Sequence, residues 1–253
     1  MGEIVDLKDK VKRYYRFTKS ELTGLTFSII IIAFIFSFRG WGATEFNARL
    51  GLTTFFNAIL IVALAYLAHD AGQRIWALVI GYRIEYRAWT YGLVAALFLA
   101  FLTNGYVWWF IIPSNFIIHH LAGHRLGWFR YDINYFGQAM VALAGPLSTL
   151  SLMFLLKIIN VFIANELITK AILFNLAFTI TSMLPFPPLD GSKIYFGSRM
   201  LYAFTLPFIV ADSLLLVLNI GIIIAISLSL LIGLTLWIAY YVAIEKNVWY
   251  GPR

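Results

Sequence analysis

The segment YLAHDAGQRIW, residues 66–76, holds three side chains that could do chemistry together: His69, Asp70 and Gln73. On a helix, positions 69 and 73 are one turn apart and share a face. Metal sites built on a single helix use this spacing with two histidines, and an acidic residue beside the first takes a proton from metal-bound water. Asp70 has the charge of such a base but is one methylene shorter than glutamate. Gln73 offers a neutral amide oxygen, a weaker zinc donor than imidazole. A second polar segment, FPPLDGS (residues 186–192), presents Asp190 after Pro187 and Pro188, which stop a helix and fix an extended approach, while Gly191 permits a tight turn behind it. The chain has no cysteine, so thiolate chemistry and disulfides are excluded, and a metal would need His, Asp, Gln or backbone donors. The alternative is structural: Asp70 solvates or caps a helix end, and His69 bonds a neighbouring carbonyl.

The elements that must position these residues are set by composition. Of 253 residues, 61% are hydrophobic and 12% charged, about half the charge of an ordinary soluble domain. Apolar runs fall at residues 22–38, 51–67, 89–118, 139–159, 167–184, 201–218 and 222–242. The run at 89–118 is broken by Thr103-Asn104-Gly105, which marks a helical hairpin or re-entrant backbone shielded by protein. The sequence therefore predicts an all-α polytopic membrane protein of about six transmembrane helices with such an insertion near residues 89–118, and a single integral membrane domain over residues 1–253. With the N-terminus inside, only Arg39, Arg49, Lys157 and Lys170 of the 19 Lys and Arg residues fall outside. That split favours a cell-membrane protein with both termini cytoplasmic. Lys157 and Lys170 lie close enough to helix ends to snorkel. The net charge of +7 sits beside apolar runs, with no basic motif of its own. Membrane lipid is the partner this suggests, and nucleic acid is not. In this topology the span ending near His69 and the span preceding Asp190 both descend to the same face.

HDAGQ followed by GYRIEY, then GQAMVALAGPLSTL (residues 137–150), then FNLAFTITSMLPFPPLDGSKIYF (residues 174–196), resembles the site-2 protease family of intramembrane zinc metalloproteases, peptidase family M50. The resemblance covers a core of about residues 50–200. It implies that His69 stands at the first zinc ligand, Asp70 at the catalytic glutamate, Gln73 at the second ligand and Asp190 at the third. The segment Ala144-Gly145-Pro146-Leu147 is similar to the family's packing motif, where small residues permit close helix approach. Ser182 stands where the family's last motif usually has an asparagine near the substrate carbonyl, and Ser192 replaces the second glycine of D-G-G. These departures favour an inactive, zinc-weak or zinc-free homologue that binds transmembrane or membrane-proximal protein segments. An active zinc metalloendopeptidase with an atypical His/Gln/Asp site is the alternative.

The remaining histidines lie in NFIIHHLAGHRLGW, residues 115–128. His120 and His124 have the four-residue spacing of a helical metal pair, and His119 adds a third nitrogen. One of them could supply the imidazole missing at Gln73, or the group could sit among lipid headgroups beside Trp128. Asp212 falls in the middle of an apolar run, where a carboxylate must face protein or water. Asn104, Asn175 and Asn219 are weaker outliers, since buried amides commonly tie helices together; Asn175 is kept with Ser182 as an accessory site candidate.

Overall fold

Without water to serve the backbone, a chain in lipid must close its hydrogen bonds within each segment, and helices do so. The computed structural model describes residues 2–42, 46–111, 115–121, 134–218 and 220–246. In chain order they form α1 (Gly2–Tyr14), α2 (Lys19–Ser37), a 3-10 turn (Phe38–Trp41), α3 (Ala48–Ile80), β1 (Tyr82–Arg87), α4 (Thr90–Leu102), β2 (Asn115–His120), α5 (Tyr135–Phe162), α6 (Glu166–Ser182), α7 (Asp190–Gly197), α8 (Arg199–Val217) and α9 (Ile222–Tyr240), the last running into a π turn at Tyr241–Glu245. Five segments, over Lys19–Trp41, Ala48–Ile80, Tyr135–Phe162, Arg199–Val217 and Ile222–Glu245, are long and apolar enough to cross a membrane. Helix α6, at 17 residues, is about 26 Å long against a hydrocarbon core of about 30 Å. The protein is thus a helical polytopic membrane protein of roughly six spans.

Local signals fix the ends. Thr18 and Glu21 form a reciprocal capping box at the start of α2. Asn47 caps α3 through Leu50 N–H at 3.1 Å. Gly81, at φ 99°, ends α3 in the left-handed conformation, and the chain turns directly into β1. Lys157 Nζ donates to the carbonyls of Leu216 and Leu218, at 2.7 and 2.8 Å, closing the end of α8. Lys170 pairs with Glu166 one turn away at 2.7 Å.

The insertion at 89–118 leaves and returns to the same place. Helix α4 ends in a turn where Asn104 and Gly105 take positive φ, and β2 then pairs antiparallel with β1, from Tyr82 opposite His120 to Arg87 opposite Asn115. This two-stranded sheet adds strands that the all-helical expectation did not contain. The alternation in YRIEYR was its signal, with Tyr82, Ile84 and Tyr86 buried on one face.

Helices α3 and α5 approach at glycine. A Cβ on Gly72 would lie 2.7 Å from the Ala144 carbonyl oxygen and would strike Ser148. The AGPL segment therefore packs backbone against α3, as its small residues predict. Around this contact the core gathers Tyr66, Leu150, Met153, Phe174 and Phe178.

Candidate functional site

Helix α3 carries His69, Asp70, Gln73 and Arg74, all buried, with His69 and Gln73 against Gly145 of α5. Asp190 reaches them from the start of α7. A Cβ on Gly191 would lie 2.1 Å from the Met183 carbonyl oxygen, so only glycine lets the loop after Pro187-Pro188 fold this tightly on the end of α6. The loop is held by Ser192, whose N–H and hydroxyl both donate to the Leu189 carbonyl. Across 121 positions, His69 Nε2 and Asp190 Oδ2 are 2.8 Å apart. Gln73 Nε2 lies 3.2 Å from the same ring nitrogen. One nitrogen serves one of these neighbours: with its proton it donates to Asp190, and with its lone pair it accepts from Gln73. A Cβ on Gly145 would come within 2.4 Å of His69 Nε2, so the family-like glycine also keeps this spot open. The edge of the His69 ring meets Phe178, with centroids 5.1 Å apart.

Asp70 belongs to a different cluster. Arg74 Nε donates to Asp70 Oδ2 at 2.5 Å, and Arg74 Nη2 donates to Glu21 Oε1 at 2.5 Å. Glu21 Oε1 also accepts from Tyr86 N–H at 2.9 Å, and Oε2 accepts from Thr18 N–H at 2.8 Å. Arg74 Nη1 donates to the Ile84 carbonyl, and the guanidinium covers the Phe17 ring at 4.1 Å. The Asp70 carboxylate is thus bound to a buried cation that also ties α2 to β1.

A second cation flanks Asp190. Lys193 Nζ lies 3.9 Å from Asp190 Oδ1 and 3.4 Å from the centre of the Phe116 ring. Burial pushes this ammonium down to about 8, with the Asp190 carboxylate opposing the shift. Sequence reading missed Glu21, Arg74 and Lys193. Arg74 was legible as an i,i+4 partner of Asp70, and Glu21 as the last residue of a capping box; their meeting across 53 positions was not.

The donor set does not fit a catalytic zinc centre. Such a centre takes three protein ligands and leaves a position for water. His69 and Asp190 supply two, and the third position holds a neutral amide. Among the described residues no group of three or more His, Cys, Asp and Glu is placed to hold a metal ion. His69 Nδ1 is buried without a hydrogen-bond partner, where a zinc-bound histidine ordinarily donates to an orienting carboxylate or carbonyl.

The accessory candidates are spread out. His119, on β2, lies 3.3 Å from Glu85 Oε2 and is exposed. His120 faces Tyr82 edge-on at 5.1 Å. Both are on a strand, so the helical spacing read for His120 and His124 does not hold at its first member; His124 lies outside the described residues. Among the described residues, no hydrogen bond or ion pair joins His119 or His120 to Gln73. Ser182 Oγ donates to the Thr179 carbonyl at 2.8 Å, and Asn175 Nδ2 to the Ala171 carbonyl at 2.8 Å. Both are buried back-bonds within α6. Asp212 accepts from Ser229 Oγ at 3.2 Å and joins α8 to α9.

No family model matches the chain, and no solved structure matches it. Among curated proteins, one of Methanocaldococcus jannaschii named "Putative zinc metalloprotease" is 28% identical over 196 residues, covering 75% of this chain and 90% of that protein. The chain is thus a polytopic membrane protein distantly similar to a putative zinc metalloprotease, and among its described residues no three-ligand metal cluster is present.

Proposed function

We propose that this chain is a site-2-protease-like membrane protein that has lost peptide hydrolysis and binds transmembrane or membrane-proximal segments of other proteins. The observation that carries the proposal is the engagement of Asp70 by Arg74. A general base must reach the water it deprotonates, and this carboxylate is committed to a buried guanidinium. Gln73 at the second ligand position argues the same way. His69, Gln73 and Asp190 are then the remnant of a metal site. The chain forms one membrane-embedded domain in the cell membrane, with both termini in the cytoplasm.

Binding is tested by capture of a single-span membrane segment in nanodiscs. Capture should be unchanged by a chelator and by His69→Ala. Loss of capture under both conditions would tie binding to a metal and sink the proposal. The second reading, an active metalloendopeptidase with a His/Gln/Asp site, draws on the 2.8 Å approach of His69 to Asp190. It requires Asp70 to leave Arg74, or another group to act as base.

A further inference from the structure

Away from His69, at the other end of α3, a cavity of about 530 Å³ opens between α2, α3, α6 and the turn after α4. Asn57, on its wall, precedes His69 on the same helix by about 18 Å at 1.5 Å per residue, so this is a separate place. The floor is apolar, with Phe36, Ile61 and Leu173, and the rim is polar, with Arg39, Asn57, Lys170 and Glu166.

The rim carries one cation, Arg39, without a carboxylate partner among the described residues. Lys170 is paired with Glu166, but Arg39 only stacks on the Tyr106 ring at 4.3 Å. Asn57 lies within a membrane-spanning helix and is exposed to the cavity. It too has no hydrogen-bond partner among the described residues. Polar groups at membrane depth ordinarily find partners in protein, water or ligand. An unpaired guanidinium and an amide, beside a Lys170–Glu166 pair that leaves the rim one net positive charge, above an apolar floor match an amphiphile with an anionic head. A soluble anion would make no use of the floor.

We propose that this cavity binds an anionic lipid, its phosphodiester held by Arg39, Lys170 and Asn57 and its adjoining chain lying over Phe36, Ile61 and Leu173. The site is independent of any chemistry at His69.

The test uses the full chain, delipidated in detergent and titrated with dioleoyl phosphatidylglycerol or dioleoylglycerol, with adducts counted by native mass spectrometry. One saturable phosphatidylglycerol adduct should form, about tenfold tighter than dioleoylglycerol. Arg39→Gln and Lys170→Gln should each weaken it, and the pair should bring it to the level of the uncharged lipid. Asn57→Phe should block it by filling the cavity with charge unchanged. Equal binding of both lipids, or full phosphatidylglycerol affinity in R39Q/K170Q, would overturn the proposal. Millimolar inorganic phosphate should not displace the lipid; displacement would make the occupant a soluble phosphate and overturn the lipid assignment. If the double variant fails to fold, the single variants and the competition on the unmodified protein decide the matter.

Discussion

At the residue scale, the proposed loss of hydrolysis turns on two side chains of α3 that depart from the expected chemistry in different ways. Asp70 keeps a negative charge but gives it to Arg74, and Gln73 keeps the position but loses the imidazole. The Glu21–Arg74–Asp70 cluster is buried, with Arg74 3% exposed, so removing its cation strands two carboxylates. Arg74→Gln should cost about 3–5 kcal/mol in unfolding experiments in detergent; a neutral outcome would mean that the carboxylates are not held as an ion cluster. Gln73→His should strengthen zinc binding in equilibrium dialysis, because it returns a second imidazole beside His69 and Asp190. Unchanged affinity would show that position 73 does not serve the pair. Asp70→Glu alone should restore nothing, since the longer carboxylate still meets Arg74.

At the element scale, the site depends on how closely α5 and α7 can approach α3. Gly72→Leu forces a side chain into Ser148 and the Ala144 carbonyl, and should destabilise the protein by about 1–3 kcal/mol. The sheet that closes the insertion is testable because the chain has no native cysteine. Arg83 and His119 are opposite each other, so Arg83→Cys with His119→Cys should cross-link under mild oxidant, while the slipped pair Arg83→Cys with Ile118→Cys should not. Much of this level was legible in sequence. The broken run at 89–118 announced a returning insertion, and AGPL announced a close helix contact. The strands were hidden because Tyr82–Arg87 needs β2, some 30 residues on, before its alternation means a sheet. The convergence of His69 and Asp190 was legible from motif order and shared depth. The Asp70–Arg74 pair was legible as an i,i+4 spacing, but Glu21 reaching the same guanidinium from another helix was not.

At the scale of the whole molecule, roughly six spans surround a buried polar centre, and lipid meets large exposed side chains such as Phe56, Leu60 and Leu64. An even number of crossings puts both termini on one side. Labelling of single cysteines placed near residues 6 and 246 should show the same accessibility from the cytoplasmic face; opposite exposure would break the even count. The central claim is that this scaffold binds without cutting, and it is tested most directly by cleavage of a single-span membrane substrate by the unmodified protein in nanodiscs with added zinc, run beside Asp190→Ala. The expected result is that the unmodified protein and Asp190→Ala give the same background. Chelator-sensitive cleavage by the unmodified protein that disappears in Asp190→Ala would contradict it.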